Sequence, residues 1–340
     1  MRTAIPIESA RVARPQPAAA ARALRISCVV PAYNEAENLA LLLPELRRVL
    51  ADCTPQWEVI VVDDGSRDGT AALLERWSQE PGFRALALSR NFGKEAALMA
   101  GLQAAAGDVV VTMDADLQHP PTTIAALLEA WHGGAPVAYA LRRSRAGESR
   151  VKRWGARSFY ALLNAAHRFT VPPDAGDFRL MDRTVVDALL ALPERNRFMK
   201  GLYAWVGFEA VAVPYDVAPR ARGQSSFGLR QLAHLSLAGI TAFTTWPLRA
   251  VSFAGVLLAL LSIGYGLWLV LGYFLFSHPV SGWTTIVVGL MLLSGVQLIS
   301  LGVVGEYVGR IFEEVKGRPL FVVRRELGHS FADDVAAKRT

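Results

Sequence analysis

Between Val251 and Gly305 the chain carries no Asp, Glu, Lys or Arg, a run of 55 residues. All 36 basic and 30 acidic residues lie outside it. Soluble cores rarely run this far without charge. The run is too long for one membrane span and fits two, about Val251–Phe276 and Trp283–Val304. Each exceeds the roughly 20 residues a helix needs to cross the hydrocarbon core. Between them lies SHPVSG, in which Pro279 and Gly282 favour a turn. The expectation is a transmembrane helical hairpin with a short outer loop; a buried hairpin of a soluble protein is the competing reading. Arg249 precedes the first span, and Arg310, Lys316, Arg318, Arg324 and Arg325 follow the second. The loop has neither Lys nor Arg, so both flanks and the large N-terminal part are placed in the cytoplasm.

The rest of the 340-residue chain is that of a globular domain. With 52% hydrophobic and 19% charged residues overall, a disordered chain, a coiled coil and a disulfide-rich miniprotein are excluded. Cys28 and Cys53 form no disulfide framework and no metal-ligand spacing, and read as reduced thiols. The net charge of +6 accompanies no nucleic-acid recognition motif, so no nucleic acid is expected. An anionic bilayer and anionic substrates explain the charge better. Residues 1–23 mix Ala, Arg and Pro without the apolar stretch of a secretory signal and read as a disordered basic tail. Residues 227–249 space Leu229, Leu232, Leu235 and Leu237 near a helical period, with Arg230, Gln231 and His234 between them. This is the pattern of a helix lying in the membrane interface, or of one packed on the soluble domain.

Short apolar runs alternate with amphipathic stretches over residues 24–141. Strands are expected at Ile26–Pro31, Glu58–Val62, Ala85–Leu88, Asp108–Met113 and Val137–Leu141. Helices are expected between them: one with Asn34 as N-cap and Glu37 completing a capping box, then others from Thr70, from Gly93 and from Pro121. Such alternation predicts an α/β fold with a mainly parallel sheet covered on both faces. Ligands then bind at the carboxyl ends of the strands. Those ends read Pro31-Ala32-Tyr33-Asn34-Glu35, Asp63-Asp64-Gly65-Ser66, Ser89-Arg90-Asn91 and Asp114-Ala115-Asp116-Leu117-Gln118. Neither a G-x-G-x-x-G nor a P-loop pattern is present, which argues against a dehydrogenase and a P-loop nucleotidase.

Acidic strand ends have a chemical use. Asp114 and Asp116 on a loop, with Gln118 as a third oxygen donor, would hold a hard divalent cation that takes its other ligands from substrate phosphates. The alternative is that Asp116 caps the helix announced by Pro120-Pro121.

Taken together, PAYNE at 31–35, VVDDGS at 61–66, NFGKEAALMAG at 91–101 and DADLQHPP at 114–121 resemble family 2 glycosyltransferases of GT-A fold. DAGDFRL at 174–180, PERNRFMKGLYAWVGF at 193–208, RARGQSSF at 220–227 and GEYVGR at 305–310 narrow the resemblance. The chain is similar to polyprenyl-phosphate glycosyltransferases of the bactoprenol glucosyltransferase and dolichyl-phosphate-mannose-synthase-like branch, over about residues 24–325. That resemblance implies a GT-A catalytic domain at 24–226, the interfacial helix at 227–249, the hairpin at 250–308 and a cytoplasmic tail at 309–340. The setting would be the bacterial inner membrane, crossed twice, with both termini cytoplasmic.

It also implies roles. Pro31, Tyr33, Glu35, Asp63, Lys94, Asp114, Ala115 and Arg142 would bind a nucleotide sugar, with UDP-glucose favoured. Asp114, Asp116 and Gln118 would hold Mg²⁺ or Mn²⁺. Asp116 and Asp177 would be catalytic, Asp177 either as a base or as a group that orients the sugar or acceptor. The acceptor would be a polyprenyl phosphate such as undecaprenyl phosphate. Its headgroup would meet Arg145, Lys152, Arg153, Arg157, Arg222 and Ser225, although the first four also suit general attraction to anionic lipid. A lipid phosphate carries about −1.5 to −2 charges and is already a nucleophile. Direct in-line attack with inversion is therefore expected. The resemblance further implies self-association, as tetramers in some members. Gly255, Gly264, Gly266, Gly289 and Gly295 would permit close helix packing or simply face lipid.

Three rivals remain at this level. Another donor is compatible: GDP-mannose, a UDP-amino-arabinose type or a UDP-N-acetyl sugar. A processive polysaccharide synthase would need more membrane spans than the single hairpin read from the sequence. A catalytically silent membrane scaffold conflicts with the intact Asp114, Asp116 and Asp177.

Overall fold

The computed structural model describes residues 23–143, 175–195, 197–216, 246–276 and 282–329. Eight strands form one sheet in the order β7-β5-β6-β4-β1-β2-β3-β8. They are β1 (Arg25–Ala32), β2 (Gln56–Asp63), β3 (Phe83–Leu88), β4 (Val109–Thr112), β5 (Val137–Arg142), β6 (Ala175–Asp182), β7 (Ala210–Tyr215) and β8 (Val323–Leu327). β6 and β8 run antiparallel to their neighbours; every other pairing is parallel. The expected mainly parallel α/β sheet is therefore present, and the five expected strands all form.

Period-two alternation sorts the strand side chains onto two apolar faces. Ile26, Cys28, Val30, Val59, Val61, Val109 and Val111 pack on one face, against Leu39, Leu42, Leu43 and Leu46 of α1 (Ala36–Cys53). The same layer takes Leu73 and Leu74 of α2 (Thr70–Trp77) and Ile124 and Leu127 of α4 (Thr123–His132). Val29, Ile60, Val62 and Val110 face the other way. They meet Leu98 and Leu102 of α3 (Lys94–Ala104), Val186 and Leu189 of α5 (Arg183–Leu190) and Leu202 of α6 (Met199–Trp205). Each fully buried aliphatic side chain contributes about 1.5–3 kcal/mol. Burial on both faces is what makes these strands read as unbroken apolar runs. At Gly101 of α3 a Cβ would lie 2.2 Å from Val29 Cγ1, so glycine lets that helix sit directly on β1.

Several local expectations are corrected. Asn34 is not the N-cap of α1. Glu35 holds that position without a side-chain cap bond, and Asn34 adopts a left-handed φ of 56°. The first amides of α1 are capped from the next loop instead: Asp68 accepts from Ala36 N and Thr70 Oγ1 from Glu35 N, while Asn34 Oδ1 accepts from Arg67 N. Helix α4 starts at Thr123, behind a turn at Pro120-Pro121, with Thr122 at its N-cap. Asp116 therefore does not cap it. The final stretch is not merely a tail: Val323–Leu327 forms β8, the sheet edge against β3.

Residues 251–276 and 283–305 of the charge-free run lie in two long helices, α7 (Trp246–Phe276) and α8 (Trp283–Lys316). Both are long and apolar enough to cross a membrane. At 31 residues α7 is about 46 Å long, against about 30 Å of hydrocarbon. Phe253, Leu260, Trp268, Leu275, Leu298 and Ile299 are among its and α8's large exposed apolar side chains. At Gly255, Gly264, Gly266, Gly289 and Gly295 an added Cβ meets nothing within 4 Å among the described residues, so these glycines do not serve close packing of α7 on α8. Residues 1–22 and 227–245 lie outside the described residues, so the basic tail and most of the interfacial-helix segment go unseen. Trp246–Arg249 belongs to the first turn of α7. Helix α8 continues past Val304 as a charged helix, closed by Gly317 at φ 66°.

Candidate active site

The strand order turns around at β1, between β2 on one side and β4 on the other. Ladder pairing of β1 with β4 stops at Val29 opposite Thr112, whereas pairing with β2 continues to Ala32 opposite Asp63. The strands part there, which is where α/β sheets bind ligands. Asp114, Ala115 and Asp116 leave β4 at this point.

A cleft of about 160 Å³ opens beside it. Its walls bring together Lys94, Asp114, His119, Arg142, Asp177 and Lys200, from five regions of the chain. Lys94 Nζ lies 2.7 Å from Asp114 Oδ1 and 2.7 Å from Asp177 Oδ2. Burial pulls the Lys94 pKa down, but the two carboxylates outweigh it and hold it above the usual lysine range. Burial likewise pushes Asp177 up, and the Lys94 ammonium brings it below the usual carboxylate range. Asp177 Oδ1 is buried with no hydrogen-bond partner among the described residues. The strand carrying Asp177 is pinned beside β4, because Thr112 Oγ1 donates to the Asp177 carbonyl at 2.5 Å.

Lys94 is placed by Asp64, whose carboxylate accepts from Phe92 N at 2.7 Å and Gly93 N at 2.9 Å. The VVDDGS pair thus divides its work. Asp64 builds the loop that starts α3. Asp63, also buried, accepts from Ser66 N and ends β2 at the crevice. Gly65 lies between them and Arg90: at φ 74°, a Cβ would fall 2.6 Å from the Arg90 carbonyl carbon.

The acidic loop is tightly turned. Leu117 has φ 60°, and Asp116 Oδ1 accepts from Gln118 N at 3.1 Å. Gln118 Oε1 accepts from Arg142 Nη2 at 3.2 Å, which ties this loop to the end of β5. His119 is buried, stacked on Phe178 at 5.0 Å, with its Nδ1 facing Asp114 N at 3.4 Å. Burial lowers its pKa below the usual histidine range, against the opposing pull of Asp114 and Asp116. Among the described residues no three His, Cys, Asp or Glu side chains converge as a preformed metal cage. Asp114 and Asp116, with the Gln118 amide beside them, form an incomplete set of hard oxygen donors. That set fits a divalent cation completed by phosphate oxygens and water.

Of the residues expected from sequence, Lys94, Asp114, Arg142 and Asp177 line one cleft, with Gln118 bonded to Arg142. Ala115 is buried and Pro31 is the penultimate residue of β1, while Tyr33, just beyond the strand, is exposed. Glu35 accepts from Asn38 Nδ2 at 2.5 Å. Arg145, Lys152, Arg153, Arg157, Arg222 and Ser225 lie outside the described residues. Sequence reasoning missed His119 and Lys200. The first sits five residues after Asp114 in DADLQH, a usable signal; the second is brought in only by the tertiary fold.

Residues 27–190 match the family described as Glycosyl transferase family 2. The chain is 44% identical over 301 residues to an uncharacterized glycosyltransferase of Synechocystis, covering 88% of this chain and 95% of that protein. It is 41% identical over 303 residues to the bactoprenol glucosyl transferase of Shigella phage SfII, covering 89% and 98%. A prophage bactoprenol glucosyl transferase homolog of Escherichia coli K12 is 38% identical, with 89% and 99% covered. Among solved structures, glucosyl-3-phosphoglycerate synthase of Mycobacterium tuberculosis is similar at a TM-score of 0.46 and 23% identity, covering 65% of this chain and 79% of that one.

Proposed function

The chain belongs to glycosyl transferase family 2, and from that membership we propose that it transfers glucose from UDP-glucose to a polyprenyl phosphate such as undecaprenyl phosphate, with inversion. The observation that carries this reading is the meeting of Asp114, Lys94 and Asp177 in a cleft at the parting of β1 and β4. Similarity to bactoprenol glucosyl transferases over nearly their whole length supports the choice of sugar and lipid.

In this reading Tyr33, Glu35 and Asp63, on the ends of β1 and β2, receive the nucleoside. Asp63 would accept the N–H of a uracil ring. Arg142 contacts the diphosphate, where a guanidinium fork matches phosphate oxygens. Asp114 and Asp116, with Gln118, would hold Mg²⁺ or Mn²⁺, and such a cation, when bound, neutralises charge on a departing diphosphate. The acceptor phosphate needs no general base, because it is already anionic. Asp177 therefore acts as a positioning group: its Oδ2 is held by Lys94, and its buried Oδ1 is left to meet the sugar. A buried acceptor oxygen without a partner costs about 1–3 kcal/mol, which a sugar hydroxyl would offset.

We place the reaction on the cytoplasmic face of a bacterial inner membrane. Two features support this. The basic residues flank the hairpin while its outer loop has none. Strand β8, which follows the hairpin, pairs with β3, which precedes it, so both ends of the hairpin belong on one side.

The test is incubation of the purified full chain with UDP-[¹⁴C]glucose, a divalent cation and undecaprenyl phosphate. Label entering the organic phase is the expected result. Label from GDP-mannose or a UDP-N-acetyl sugar in place of UDP-glucose would reassign the donor. No label from any donor would overturn the transfer reading.

A further inference from the structure

The cleft has one cation without a partner among the described residues. Lys94 is shared by Asp114 and Asp177, and Arg142 donates to Gln118. Lys200, in the first turn of α6, lines the same cleft and has no ion pair or hydrogen bond with any described residue. Its backbone is held in place: the Glu95 carboxylate accepts from Met199 N, fastening α6 to the start of α3. The ammonium is close enough to Asp177 to act on it electrostatically, but it forms no contact with it.

Asp177 and Glu95 act on this half-buried ammonium only at a distance, so its N–H donors are left for an arriving anion, with which charge-assisted hydrogen bonds are strong. Its position says which anion. In-line displacement needs the attacking and leaving oxygens on opposite sides of the anomeric carbon. The leaving diphosphate belongs with Asp114, Asp116 and Arg142, on the β4 and β5 ends. Lys200 comes from a different element and stands on the Asp177 side. A lysine is also suited to a phosphate that comes and goes, being a point charge on a flexible stem rather than a rigid fork.

We infer that Lys200 binds the phosphate monoester of the lipid acceptor and holds it for attack. This rests on the glycosyl-transfer reading above and deepens it.

Direct binding separates the two. Dodecyl phosphate, a phosphate monoester that mimics the lipid headgroup, is titrated calorimetrically into the full chain in the presence of UDP. The same titration is run on Lys200→Gln and Lys200→Arg, and UDP affinity is measured for all three. Lys200→Gln should weaken dodecyl phosphate binding by about 10-fold or more, the worth of one charge-assisted hydrogen bond. UDP affinity should stay unchanged, which also shows that the variant is folded. Lys200→Arg should recover most of the affinity. Unchanged dodecyl phosphate affinity in Lys200→Gln would overturn the assignment, as would absence of binding by the natural protein. A loss of UDP affinity instead would move Lys200 to the donor diphosphate and overturn it equally. Binding that depends on Lys200, without sugar transfer from any donor, would leave this site standing and sink the transfer reading alone.

Discussion

Lys94 and Asp177 form an ion pair of 2.7 Å that joins the first turn of α3 to β6 across the candidate site. The same ammonium reaches Asp114 at 2.7 Å, so one cation holds two carboxylates that would otherwise repel. Replacing Lys94 by Met should lower kcat by about 100-fold or more, since fixed charges in such sites act on the transition state. Lys94→Arg should retain part of the activity. Steady-state kinetics with UDP binding as a control checks this. Near-normal kcat in Lys94→Met would show that the pairing serves stability alone.

Glu95 gives a pH signature. Burial, reinforced by the Asp177 charge, pushes its carboxyl up to about 7 from a usual value near 4.5. A raised folded-state pKa means that the folded chain holds this proton more tightly than the unfolded one. Its contribution is therefore fully present below pH 4.5 and is lost as pH rises through about 7. Glu95→Gln should remove that loss and stabilise the protein at pH 8 by on the order of 2 kcal/mol, with little effect at pH 4.5. Thermal unfolding of both proteins at the two pH values reads the difference. A variant less stable than the natural protein at pH 8 would contradict it.

A buried charge network ties the end of the chain to its beginning. Arg84 donates to Glu58 at 2.9 Å and to Glu326 of β8 at 2.7 Å, while Ser27 Oγ donates to Glu58 at 2.6 Å. Glu58 is 1% exposed, so losing Arg84 strands a buried carboxylate. Arg84→Met should cost about 3–5 kcal/mol. Glu326→Gln, at a half-exposed position, should cost less than about 1 kcal/mol. Urea unfolding of the two variants tests the ordering, and equal costs would contradict the network.

Much of this was legible in the sequence because it rests on short-range patterns. The charge-free run announces α7 and α8, and β1 to β5 are buried on both faces, so they read as apolar runs. Asp114 and Asp116 were legible because they follow such a strand directly. Strands β6, β7 and β8 were not. Asp177 and Arg179 interrupt the apolar pattern of β6, and β8 reads VRREL, a charged sequence suited to a sheet edge. The N-cap expected at Asn34 failed because Asp68 and Thr70, on the next loop, supply the capping oxygens. Lys200 was invisible for the same reason: its place beside Asp177 depends on how α6 packs.

The most direct test of the central claim is to form the lipid product with the purified natural chain and with Asp116→Asn, each with and without EDTA. The product is identified by mass spectrometry and its anomeric configuration by NMR. The account predicts a β-linked glucosyl polyprenyl phosphate from the natural chain, with none from the variant or after EDTA. Full turnover by Asp116→Asn, or an α-linked product, would contradict it.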